Sequence, residues 1–205
     1  MRFLNVFMSL AVIWSALLLT AGCGGRVSRL TAEETDLIMS SDGLMRVLLV
    51  TSPEDSLVLR TPCTDLAEED LLSEVYEHLA CRMIATVTDS TQDGVGLAAP
   101  QVGLNRRVVA VMRYDKPGYL FEVYPNIYIE YYSEETQTGP EGCLSIPGPA
   151  GEVERSQQII IRYTDPATLS AVRDTVDGYT AVIFQHEVDH LEGILFTDRL
   201  TDSKE

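Results

Sequence analysis

Two helical stripes and a run of β-rich segments organise the chain. Leu71, Leu72, Val75, Leu79 and Met83 recur at three- and four-residue intervals, which predicts an amphipathic helix reaching about Thr86. Asp65 to Glu68 has the spacing of a capping box at its start, and the polar turn Asp89 to Gly94 closes it. A last helix is predicted after Asp177-Gly178, running to about Glu192, with Gly193 where a C′ glycine belongs and Ile194 placed to fold back on the final turn. Between the two lie short runs rich in Val, Ile and Tyr, separated by Gly, Pro or Asp turns: Val108 to Met112, Leu120 to Tyr124, Ile127 to Tyr132, Ile159 to Tyr163 and Ala171 to Val176. Strands grouped between helices predict an α+β fold rather than a doubly wound one. Its antiparallel sheets are expected to pack around the C-terminal helix, with a second helix near the start of the domain.

Ahead of this pattern the chain changes character. Arg2 is followed by an almost wholly apolar run, Phe3 to Leu18, and then by Leu19-Thr20-Ala21-Gly22 leading into Cys23. This is the layout of an export signal, and it resembles a bacterial lipoprotein signal, in which the cysteine is acylated and becomes the new N-terminus. Thr20 departs from that resemblance, since such signals favour Leu there. An uncleaved membrane anchor is the alternative, with a run near the lower length limit for spanning a bilayer. Residues 1–22 are therefore expected to be a signal peptide. Residues 23–44 are expected to form a tether with a short helix after the capping-box spacing of Thr31 and Glu34, and 45–205 a catalytic domain. Each outcome predicts a location outside the cytoplasm, with Cys23 as the lipidation site.

Composition narrows the partners. The 205 residues suit one domain plus a leader. Fifteen Lys and Arg against 31 Asp and Glu give a net charge of −16, which leaves no footprint for nucleic acid. The acids are scattered and read as a solvated surface, and a monomer is the expectation, though nothing in the residue order fixes the oligomeric state. Cys63 and Cys81 could pair in an oxidising compartment, but buried free thiols are the expectation.

The chemistry concentrates in three segments. In His186-Glu187-Val188-Asp189-His190, positions i and i+4 put both imidazoles on one helix face, within reach of one ion. Glu187 is rotated about 100° away, placed to serve a water beside that ion without ligating it. The chain has three histidines and two stand here, while His78 on the first helix is an ordinary surface or core residue. Extended as His-Glu-x-x-His-x-x-Gly-x-x-His, the pattern would mark a protease class. Gly193 fits it, but Phe196 occupies the third histidine's place, so the third ligand is expected upstream. Cys143, in the glycine-flanked turn Glu141-Gly142-Cys143-Leu144-Ser145, is the candidate. Three protein ligands leave one open position, the catalytic pattern, and a thiolate with two imidazoles suits Fe²⁺, Zn²⁺, Ni²⁺ or Co²⁺. The third segment runs from Gly94 to Gln101. Its glycines permit close backbone approach to a ligand, and Gln101 can donate an amide hydrogen to a developing oxyanion. A non-catalytic metal- or peptide-binding protein and a metallopeptidase remain the alternatives.

Together the segments Gly94-Val95-Gly96-Leu97-Ala98-Ala99-Pro100-Gln101, Glu141-Gly142-Cys143-Leu144-Ser145 and Gln185 to Leu191 resemble the motifs of peptide deformylase, in that order and spacing. The likeness spans about Met45 to Leu200, and Asn126, Arg155 and Gly193 to Phe196 add weaker matches. The resemblance implies hydrolysis of the formyl group from N-terminal formylmethionine of peptides. Cys143, His186 and His190 would hold one divalent ion, Fe²⁺ first among the four. Glu187 would move the proton, and the Leu144 amide and Gln101 side chain would bind the oxyanion. Val95, Val182, Ile183 and Glu141 would border the methionine pocket, and the backbones of Val95, Gly96 and Gly142 would pair with the extended peptide. Ala150 departs from the family, standing where a basic residue is common.

Overall fold

The computed structural model describes residues 25–92 and 94–201. In chain order the elements are β1 (Val27–Ser28), α1 (Ala32–Met39), α2 (Pro53–Leu59), β2 (Asp65–Leu66), α3 (Glu68–Leu71), α4 (Glu74–Thr88) and β3 (Gly96–Ala98). A 3₁₀ turn, Ala99–Val102, leads to β4 (Val108–Met112), β5 (Phe121–Pro125), β6 (Tyr128–Tyr132), β7 (Thr136–Cys143), β8 (Ile146–Ser156), β9 (Gln158–Thr164), β10 (Ala171–Asp177) and α5 (Gly178–Leu191), and Phe196–Asp198 forms a last 3₁₀ turn.

Antiparallel pairing dominates. The strands form the sheets β3-β4-β5 and β10-β9-β6 and the hairpin β7-β8, and β1 with β2 adds a two-residue parallel pair. The two-residue period of β4 explains the layering. Val108 and Ala110 face a core shared with Leu79 and Met83 of α4, while Val109 and Val111 face a second core with Phe184, Val188 and Leu191 of α5. All four β4 side chains are fully buried, so this sheet is sandwiched between two helices.

The α+β expectation holds, with antiparallel sheets around the C-terminal helix. Eleven residues of α5 are buried. Its C-terminus closes as expected: Gly193 has φ +72°, its N–H donates to His190 O at 3.1 Å, and Ile194 N–H donates to Asp189 O at 2.9 Å.

The start of α4 is corrected. Ser73, not Asp65, caps it, accepting from Tyr76 N at 3.3 Å. Asp65 and Leu66 instead pair with Val27 and Ser28, and Asp65 accepts from the Tyr128 hydroxyl at 2.7 Å. The break between α3 and α4 leaves Leu72 exposed, off the apolar stripe.

The segment expected to be a tether does not hang free where it is described. Its predicted capping box at Thr31 and Glu34 forms, and Ile38 is fully buried. The Arg106 guanidinium donates to both carboxylate oxygens of Glu34, at 2.8 and 2.6 Å, and Arg82 donates to the carbonyls of Leu37 and Ile38. Cys63 and Cys81 are unpaired thiols as expected, but Cys81 is exposed rather than buried. The signal peptide 1–22 and Cys23 lie outside the described residues. Among the described residues, no helix is long and apolar enough to cross a membrane.

Candidate metal centre and substrate cleft

Cys143 ends β7 at a register shift, where the β7–β8 hairpin turns over the face of α5 that carries His186 and His190. Its Sγ lies 3.3 Å from His190 Nε2, and one ligand atom each from Cys143, His186 and His190 falls within 4.8 Å of the others. The two imidazoles stand 5.1 Å apart at 69°, as four-residue spacing on one helix face allows. The Glu141 carboxylate meets His186 Nδ1 at 2.9 Å, which leaves the other ring nitrogen for the site.

Glu141 is itself clamped. Arg155 donates to its two oxygens at 2.7 and 3.0 Å and to Asp189 at 2.5 Å, and Arg199 holds Asp189 from outside. Burial opposes the Glu141 charge, yet the bonds from Arg155 and His186 hold its pKa down at about 2. His186 is moved the other way, to about 10, because Cys143 and Glu141 outweigh the desolvation that disfavours its charge. His190 is pushed well below the ordinary histidine range, first by burial and then by His186.

These residues fit a divalent ion. A sulfur and two imidazole nitrogens converge in a largely buried setting. Among the described residues, the buried side-chain nitrogens and oxygens without a hydrogen-bond partner are Glu187 Oε2, beside the triad, and His190 Nδ1, the ring nitrogen other than the one that faces Cys143. Burial pushes the Glu187 carboxyl up to about 7, with Glu141 adding to the shift and His186 and Arg155 opposing it. That carboxyl is therefore poised to take up and release a proton near neutrality.

An open cleft of about 360 Å³ faces the triad. Val95, Val182 and Ile183 supply apolar wall, the buried Gly96 and the exposed Gly142 contribute positions without side chains, and Gln101, Leu144 and Glu187 also line it. His190 lies beneath the floor, fully buried. Gln101 is oriented by its own turn. Ala98 N–H donates to its Oε1 at 2.8 Å, so its Nε2 points to Cys143 Sγ at 3.6 Å and Ser145 Oγ at 3.3 Å. The Glu141 side chain borders the cleft, but its carboxylate is turned away to His186 and Arg155. Gly94, Pro140 and Tyr179 also line the cleft. Tyr179 is not among the residues that the sequence pattern singles out, since its only signal is that of any helix-start residue.

A thiolate–imidazole–imidazole set opening on a cleft, with an unpartnered carboxyl beside it, is the site of a metal-dependent hydrolase. The sequence model of the polypeptide deformylase family matches residues 47–205. A peptide deformylase of Roseiflexus sp. (strain RS-1) is 35% identical over 174 residues, covering 78% of this chain and 90% of that relative. Peptide deformylase 1 of Bacillus cereus is 40% identical over 149 residues, 70% of this chain and 86% of its own length. The chain is similar to the crystal structure of class I type b peptide deformylase from Acinetobacter baumannii bound to Met-Ala-Ser, at a TM-score of 0.68 and 35% identity, over 77% of this chain and 98% of that one. It is similar also to the peptide deformylase of Thermotoga maritima, at 0.66 and 34%, over 77% and 98%. The chain belongs to the polypeptide deformylase family and is an enzyme of that kind.

Proposed function

We propose that this enzyme hydrolyses the formyl group from N-terminal formylmethionine of peptides, releasing formate and a free methionyl amine. The observation that carries the reading is the convergence of Cys143, His186 and His190 beside the unpartnered Glu187. A divalent ion held by the three would act as a Lewis acid on the formyl carbonyl and lower the pKa of water. Every other part falls to the chain. Glu187 Oε2 accepts the proton of the attacking water and returns it to the leaving amine nitrogen, a shuttle suited to its raised pKa. Gln101 Nε2 and the Leu144 amide donate to the oxygen that gains charge as the carbonyl carbon becomes tetrahedral.

The methionine side chain lies against Val95, Val182 and Ile183. Strand β3 is an edge of its sheet, so the peptide backbone adds to it at Val95 and Gly96 and meets Gly142 across the cleft. Glu141 serves His186 rather than the substrate.

The ion is Fe²⁺, with Zn²⁺, Ni²⁺ and Co²⁺ as substitutes the donor set accepts. Metal analysis of protein purified without oxygen checks this. The location is extracytoplasmic, with Cys23 acylated, the domain a monomer, and formyl peptides outside the cytoplasm as substrates. The apolar run Phe3 to Leu18 before Ala21-Gly22-Cys23 supports this placement. Cell fractionation with labelled fatty acid tests it, and soluble cytosolic protein retaining Met1 would sink it. The activity itself is tested by formate release from formyl-Met-Ala-Ser. Wild type is expected to release formate and both Glu187→Ala and Cys143→Ser to lose it. Undiminished release by either variant refutes the assignment.

A further inference from the structure

The stretch expected to be a tether is bonded to the domain along its length. Gly25 N–H donates to the Tyr128 hydroxyl at 2.9 Å, Asp65 N–H to Arg26 O at 2.9 Å, and Leu30 N–H to the Asp70 carboxylate at 2.8 Å. Arg106 donates to the carbonyls of Ser28 and Arg29 as well as to Glu34, and Arg82 to those of Leu37, Ile38 and Gly43. Met45 N–H then donates to Thr86 Oγ1 at 2.9 Å. All of this lies ahead of residue 47, where the match to the deformylase family begins.

With residues 25–45 docked, little chain is left to act as a spacer. Cys23 and Gly25 are two residues apart, at most about 7 Å in an extended chain. That reach is no more than the headgroup layer of one leaflet, about 5 to 8 Å deep. The docked segment also starts at a defined place on the domain. The Arg107 guanidinium covers the Tyr128 ring at 3.9 Å and donates to Glu192 at 2.6 Å, just past the C-terminus of α5. The cleft lines the opposite half of that helix, from Tyr179 to Glu187. Tyr179 precedes Glu192 by 13 residues, about 20 Å along the axis. Next to Gly25, Arg26 and Val27 are exposed, a cation and an apolar side chain of the kind that suits a headgroup layer. A net charge of −16 gives the domain no general attraction to an anionic surface, so a covalent lipid would set the contact.

We propose that residues 25–45 are a rigid mount that seats the domain on the bilayer holding the Cys23 lipid. The Gly25–Tyr128 end lies against the headgroups, and the cleft is turned away from them. The inference rests on the reading of Cys23 as acylated. A cleft so held takes peptides from solution rather than chain ends still embedded in lipid.

The test uses fluorescence. The one tryptophan of the chain is Trp14, ahead of Cys23, so a single Trp introduced into the processed protein reports its own position. Val27→Trp marks the mount. Tyr114→Trp marks the cleft side, since the Tyr114 ring lies 5.5 Å from that of Tyr179. Each acylated protein is placed in phosphatidylcholine vesicles carrying a nitroxide on the lipid headgroup. The nitroxide should remove about half of the Val27→Trp emission and less than about a tenth of the Tyr114→Trp emission. A Gly-Ser spacer of about twelve residues between Gly24 and Gly25, a reach of about 20 Å, should weaken the Val27→Trp quenching about threefold with acylation intact. Equal quenching at the two positions, stronger quenching at Tyr114→Trp, or quenching that the spacer leaves unchanged overturns the mount. If mass spectrometry finds no fatty acid on Cys23, the lipid reading fails instead. The mount is then read in the soluble protein by hydrogen exchange. Slow exchange at the Leu30 and Asp65 amides supports it, and exchange at unfolded-chain rates overturns it.

Discussion

The Glu187 carboxyl fills the space that a side chain at Gly96 would need. A Cβ on Gly96 would overlap Glu187 Oε1 and come within 2.8 Å of Ile183 Cγ2, so the carboxyl lies against the cleft backbone only because residue 96 has no side chain. Gly96→Ala should displace the carboxyl while leaving the three metal-binding residues in place. A loss of about 100-fold in kcat is expected, the usual cost of misplacing a catalytic group by about an ångström. Activity within threefold of wild type, at equal metal content, would contradict this.

Glu141→Gln removes the charge that orients His186 while keeping the residue's volume. Partners of this kind typically contribute 10- to 100-fold in metal affinity. Competition against a chelator should show weaker retention by about that factor in the variant. Unchanged affinity would mean that the Glu141–His186 contact does not steady the site.

Glu187 also predicts a pH signature in the metal-free protein. Its pKa is raised from 4.5 to about 7 in the fold, so its contribution to stability is fully present below pH 4.5 and is lost as pH rises to about 7. Glu187→Gln lacks that loss. Thermal melts of the two metal-free proteins should nearly coincide at pH 4.5, with the variant several degrees higher at pH 8. A variant less stable than wild type at pH 8 would show that the buried carboxylate is not a liability.

Gly193→Ala probes the end of the catalytic helix. Residue 193 has φ +72°, and a Cβ there would lie 2.5 Å from Arg60 O. Strain plus the backbone clash should cost about 1–3 kcal/mol, read as a lower denaturant midpoint at unchanged slope. Wild-type stability would refute the tight approach of Arg60 to this turn.

Much of the site is legible in the amino-acid order, because its information is local. The interval between His186 and His190 needs only the helical repeat, and the Gly193 stop needs only its neighbours. The family resemblance accounts for the other two segments. The residues expected to line the cleft, from Val95 to Ile183, do come together. The hairpin β7–β8 is not legible as paired strands, since Gly139, Pro140, Gly142, Pro147, Gly148 and Pro149 carry turn signals that hide it.

Sequence alone determined which side chains could hold an ion and which helix would present two of them, because periodicity and residue chemistry act over a few positions. Only the tertiary structure decided that Glu141 turns to His186 and Arg155, that Tyr179 joins Tyr114 and Tyr119, and that residues 27–39 pack on the domain. Those pairings link residues 45, 65 and 72 positions apart in His186–Glu141, Tyr179–Tyr114 and Arg106–Glu34. Contacts at such separations are selected by how buried charges and apolar faces are jointly satisfied in the folded chain, and no local pattern encodes that choice.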